Sequence, residues 1–154
     1  MSEFSQQLSD RLSEVYLYVS RLEETALSKS GVGLTLSELH LLGFIYNFEN
    51  ACGVGEGIKV SEIADGMNIA RPSATVAVKK LASKGYVKKQ SDLIDGRVTT
   101  VTLTTIGRKV YNLQRGYQSA VVEKLEKEFN EDDKRILLRA ISRLSDYFKT
   151  FKKQ

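Results

Sequence analysis

The helical apolar period of this chain is interrupted once, and that interruption constrains the fold more than any other feature. As far as residue 85, apolar residues return every three or four positions, as on an amphipathic helix. Residues 86–104, YVKKQSDLIDGRVTTVTLT, alternate instead, in two runs broken by an Asp-Gly-Arg step. They read as two strands, 86–91 and 98–104, with DLIDGR between them. After Thr104 the helical period resumes. A lone hairpin is marginal in water, so this one has to pack on the helices around it.

The segment before it, KVSEIADGMNIARPSATVAVKKLASKG, reads as two short helices joined by a tight turn. Val60 is expected in a short strand, and Ser61 opens a helix of barely two turns. Residues 68–70 turn the chain, and a second helix carries Pro72 in its first turn and stops at Gly85. Projected at about 100° per residue, Ala74, Ala77, Val78 and Leu81 share one face of that helix. Opposite lie Pro72, Val76, Lys79 and Ser83, flanked by Thr75 and Lys80, with Arg71 and Ser73 near the N-terminal end. Short side chains let such a face approach base edges, Thr and Val methyls suit thymine methyls, and lysines neutralise phosphates. A helix-turn-helix followed directly by a hairpin makes a winged helix, whose tip reaches toward a minor groove. Arg97 suits that narrow, negative groove, and Asp95 is expected to orient its guanidinium as a bidentate pair. A solvated helix face or a plain Asp-Gly turn would each be ordinary; their order and spacing carry the argument.

The chain begins and ends with heptad-like helices. Leu8, Leu12, Val15, Val19, Leu22 and Ala26 form one seam over about 4–28; Leu137, Ile141, Leu144, Phe148 and Phe151 form another. Between them, TLSE opens a core helix with Thr35 as cap and Glu38 reaching back. Thr104 or Thr105 caps a long helix after the hairpin, and Asn130 caps the last one. With 154 residues this is one domain, 1–154: a winged core over 34–104, and dimerisation helices over 4–29 and 105–152. The expected fold is mainly α with a small β-wing. Charge agrees: residues 59–109 hold ten basic and four acidic residues, leaving +6, while the rest of the +4 chain carries −2. A basic middle between near-neutral ends points to a polyanion.

Other chemistries find little support. No nucleophile–base pair is visible and His40 is the only histidine, so neither an enzyme nor a histidine-rich metal site is expected, and no cofactor is implied. GVGEG, residues 53–57, lacks the third glycine of a dinucleotide loop, with Ile58 in its place, and it follows a helix rather than a strand. No apolar run reaches spanning length, the N-terminus lacks the apolar core of a signal peptide, and one cysteine fits a reducing cytoplasm. Cys52 keeps a redox-sensing regulator as an alternative, although no neighbouring cation in the sequence lowers its pKa. A winged helix used for protein–protein contact is the other alternative. His40, Tyr16, Tyr18, Phe44, Tyr46, Phe48 and Tyr111 are expected mainly in the core.

With ARPSATVAVKKLASKGYV (70–87), DGR (95–97) and VTLTTIGRKV (101–110), the chain resembles the MarR family of bacterial transcriptional regulators. The family's Asp-x-Arg wing and its Leu-Thr-x-x-Gly lead into the next helix are both present, and the terminal helices match too. The resemblance implies a homodimer on a double-stranded, pseudo-palindromic operator, most often as a ligand-responsive repressor. Carried over by position, Arg71, Ser73, Thr75, Val76, Lys79 and Lys80 would face DNA, with Asp95 and Arg97 on the wing. Val76 stands where the family often has arginine, which removes direct guanine readout there. The family binds effectors between the dimer helices and the winged core, where Tyr18, His40, Phe44 and Tyr111 fall. LSELHLLGFI and the tyrosine-bearing helix after the wing are similar to repressors of fatty-acid synthesis genes, which implies an acyl-carrier effector as well as a free small molecule.

Overall fold

Six helices and three short strands make up the described residues, 1–91 and 93–151, of a computed structural model. Asp92, in the expected DLIDGR connection, and residue 152, the end of the expected dimerisation segment, lie outside them. In chain order the elements are α1 (Glu3–Ser30), α2 (Leu36–Cys52), β1 (Ile58–Lys59), α3 (Val60–Met67), α4 (Arg71–Ser83), β2 (Val87–Ser91), β3 (Thr99–Leu103), α5 (Thr105–Glu128) and α6 (Glu131–Thr150).

Helix ends fall where local chemistry satisfies the backbone. Gly31 ends α1 in the left-handed region, at φ 64°. Thr35 accepts from the Glu38 amide while Glu38 accepts from the Thr35 amide, a complete capping box at the start of α2. Asn130 Oδ1 takes both the Asp132 and Asp133 amides at the start of α6. Val60 is a correction: the strand is Ile58–Lys59, and Val60 already begins α3. The Lys59 amide donates to Glu62 Oε2, which closes the first turn one residue early.

The strands form one antiparallel sheet in the order β1-β3-β2, with Val87 opposite Leu103, Ser91 opposite Thr99, and Ile58 opposite Val101. Leu41, Leu42 and Ile45 of α2 form the centre of the core, joined by Ile63, Val78, Leu81 and Val101, none more than 1% exposed. The core thus lies under the helix-turn-helix and the base of the wing.

The outer helices are different. α6 has no buried residue and α1 has only Ala26 and Leu27. Val15, Val19 and Leu22 of α1, Tyr117, Val121 and Leu125 of α5, and Ile141 and Phe148 of α6 leave an apolar surface open. Tyr16 and Tyr18, expected in the core, are exposed on α1 because the single chain provides nothing to cover that helix. Among the described residues no helix is long and apolar enough to cross a membrane.

Candidate nucleic-acid interface

The turn between α3 and α4 is made by Asn68, left-handed at φ 53°, with the Ile69 amide bonding back to the Ala64 carbonyl. It sets α4 against α3 so that Ala74, Val78 and Leu81 are buried. Arg71, Ser73, Thr75, Val76, Lys79 and Lys80 are all exposed on the outer side. Ala70 gives no side-chain cap to α4, which leaves its positive N-terminal end open beside Arg71 and Ser73. The Thr75 hydroxyl donates to the Arg71 carbonyl and is engaged within the helix.

The wing brings its arginine to the same side. One groove is lined by Arg71, Thr75 and Val78 of α4, by Lys59, Val60 and Ser61, and by Lys89, Arg97, Val98 and Thr99 of the hairpin. Among the described residues, four cations and no carboxylate line it. Sequence reasoning passed over Lys59 and Lys89 as contact residues. They come from the two strands that flank β3, Lys59 opposite Thr100 and Lys89 opposite Val101, so only the sheet brings them to one groove. Ser73, Val76, Lys79 and Lys80 are on the open face of α4, outside this groove.

Asp95 has a different role from the one expected. Its Oδ1 accepts from the Arg97 backbone amide at 3.0 Å, and its carbonyl accepts from the Val98 amide. The carboxylate therefore shapes the turn through the main chain, where a bidentate pair with the guanidinium was expected. An acceptor two residues before an amide closes a ring that Asp forms readily in turns.

Thr104 and Glu49 fix the base of the wing. Thr104 accepts from the Gly107 amide and donates its hydroxyl hydrogen to the Gly85 carbonyl at 2.7 Å. Glu49 of α2, 1% exposed, accepts from the Leu103 amide at 2.7 Å and is ion-paired with Arg108 of α5. Arg108 also lies over the Tyr46 ring, 5.1 Å from its centroid. Glu38 and Lys84 add a second pair at 2.7 Å, joining α2 to the end of α4. Neither pair was foreseen, since the partners lie 59 and 46 residues apart.

A separate cavity of about 630 Å³ lies between α1, α2 and α5, its walls including Val15, Val19, Leu22, Leu39, Phe44, Met67 and Tyr111. His40, Phe44 and Tyr111 line it; Tyr18 does not, because it is on the outer side of α1. His40 is exposed rather than in the core, its Nε2 3.2 Å from Glu23 Oε2. Burial raises the Tyr111 pKa, with Arg115 opposing. The neighbouring Tyr46, its ring 4.8 Å away, is lowered by a hydrogen bond with Asn50 and by Arg115 and Arg108, against its own burial. Cys52 is exposed at the end of α2, and no group of three His, Cys, Asp or Glu among the described residues is placed to hold a metal ion.

The comparisons agree with this geometry. Residues 32–97, from the loop before α2 through the wing arginine, match the family model described as MarR family. The transcriptional regulator AdcR of Streptococcus pneumoniae is 22% identical over 149 residues, covering 94% of this chain and 97% of that protein. YdgJ of Bacillus subtilis, an uncharacterized HTH-type transcriptional regulator, is 25% identical over 112 residues. That match covers 73% of this chain and 64% of YdgJ, a little under two thirds of its length. In three dimensions the chain is similar to Streptococcus pneumoniae FabT in complex with DNA, with a TM-score of 0.83 at 21% identity over 96% of this chain and 99% of that one. The chain is therefore similar to MarR-family regulators over its winged-helix segment, residues 32–97, and it shares the fold of a regulator solved on DNA.

Proposed function

We propose that the protein acts in the cytoplasm as a homodimer on a pseudo-palindromic operator, as a repressor whose grip a ligand alters. The observation that carries this is the four-cation groove in which Arg71 and Thr75 of α4 and Arg97 of the wing meet Lys59 and Lys89. α4 enters the major groove with Ser73, Thr75, Val76, Lys79 and Lys80 toward base edges and phosphates, while Arg97 enters the adjacent minor groove. Asp95 supports it by fixing the turn. Residues 34–104 are the DNA-binding core, and 4–29 with 105–152 form the dimer. Two copies of α4 then lie about one helical turn apart, roughly 34–36 Å, in successive major grooves. The cavity beside Phe44, His40 and Tyr111 adjoins both the dimer helices and the core. An effector there, a small apolar molecule or an acyl chain on its carrier, changes that spacing.

The test is DNA retardation on an operator selected from random duplexes by the protein itself, repeated over a range of salt. Affinity falls steeply with salt if phosphates are neutralised. Arg97→Ala lowers affinity about tenfold and flattens the slope by about one phosphate contact, with melting temperature unchanged. Salt-independent binding, or no selected sequence, would turn the reading toward a protein-contact module.

A further inference from the structure

The wing ends in two aliphatic side chains that lie open to solvent. Leu93 and Ile94 are adjacent, directly before the Asp95 turn, and each is 99% exposed. The other large apolar surface of the chain lies along α1, α5 and α6, as continuous helix faces; these two belong to none of them. A single exposed leucine is ordinary, but two branched aliphatics side by side on a hairpin tip add nothing to folding that polar residues would not.

Their surroundings point to one occupant. The tip continues the hairpin whose Arg97 and Lys89 line the four-cation groove with Arg71 and Lys59. The Asp95 turn joins the tip to Arg97 within three residues, so a nucleic acid held against Arg97 lies beside the tip. The walls of a minor groove are deoxyribose faces, apolar C–H surface between charged phosphates, and proteins that enter it commonly add aliphatic side chains to their arginines. We propose that Leu93 and Ile94 cover the deoxyribose edge of the minor groove next to Arg97, adding a grip that does not depend on salt. This rests on the wing being a DNA-binding element, as proposed above.

The experiment uses the full-length protein and the selected operator. Leu93→Ser with Ile94→Ser is compared with wild type, with Leu93→Val/Ile94→Val and with Arg97→Ala. The serine variant loses affinity about tenfold, equivalent to about 1.4 kcal/mol, while the slope against salt stays that of wild type because no charge is removed. The valine variant restores most of the affinity. Hydroxyl-radical footprints, which read sugar exposure, lose protection at the outer minor groove, and guanine N7 protection in the major groove persists. Full exposure of both side chains means the melting temperature does not move.

A serine variant within twofold of wild type, with its sugar footprint intact, overturns the proposal. If Arg97→Ala is impaired at the same time, only the apolar tip fails; if Arg97→Ala is also unimpaired, the wing reading fails with it. Unchanged DNA binding with lost regulation in cells assigns the tip to a protein contact and equally overturns the proposal. An impaired serine variant beside an unimpaired Arg97→Ala supports it, and makes the tip rather than the arginine the grip of the wing.

Discussion

Gly107 has a hydrogen where any other residue has a carbon. A Cβ built there would lie 2.0 Å from the Tyr86 carbonyl oxygen, a main-chain atom that cannot turn aside. Gly116, nine residues later on the same helix, has nothing within 4 Å of the equivalent position. Two identical substitutions therefore have opposite outcomes. Gly107→Ala forces α5 off the base of the wing and lowers unfolding free energy by about 2 kcal/mol or more. Gly116→Ala raises it by about 0.5–1 kcal/mol through helix propensity. Urea unfolding at equal protein concentration measures both. The Thr-x-x-Gly spacing was legible in the sequence; its reason, a carbonyl 21 positions upstream, required the fold.

What was legible among the elements was what local chemistry decides. Thr35, Thr104 and Asn130 each bond an amide two or three positions ahead, so their capping could be read from neighbours in the chain. The wing strands and the buried face of α4 followed from period alone. Glu38 shows where that stops. Its cap on Thr35 was foreseen, but its ion pair with Lys84 was not. Burial would raise its pKa, yet the Lys84 hydrogen bond, the Thr35 amide and the Lys84 charge together bring it below the ordinary 4.5. A lowered carboxyl stabilises the fold fully above its unfolded-state value and loses that contribution as pH falls through the folded one. Glu38→Gln should therefore cost about 1 kcal/mol near pH 7, discounted because Lys84 is partly exposed, and the difference should be smaller at about pH 3. Denaturant melts at the two pH values decide it; a pH-independent difference would mean the cap alone matters.

For the assembled molecule, the sequence could show apolar seams but not whether they close within one chain. Val15, Val19 and Leu22 show why, since a period of 3.5 is the same on a buried face and on an interface. With α6 unburied and α1 nearly so, a second copy is the proposed cover. Val15→Asp with Ile141→Asp should give monomers in sedimentation, and operator binding should collapse to the weak affinity of a single half-site. Dimers that persist would place the interface elsewhere.

The welded base of the wing has a mechanical consequence. Thr104 and Gly107 join β3 to α5, and Glu49 ties both to α2 through Leu103 and Arg108. The hairpin is thus a lever arm with its fulcrum at the first turn of α5. Seven residues separate Arg97 from Thr104, about 23 Å of extended chain at about 3.3 Å each. On an arm of that length, a tilt of about 5° at the fulcrum swings the arginine through about 2 Å, enough to take a guanidinium out of hydrogen-bond range. If the wing grips DNA as proposed, a displacement too small to notice where Tyr111 meets the cavity becomes, at the far end, the difference between holding a groove and leaving it.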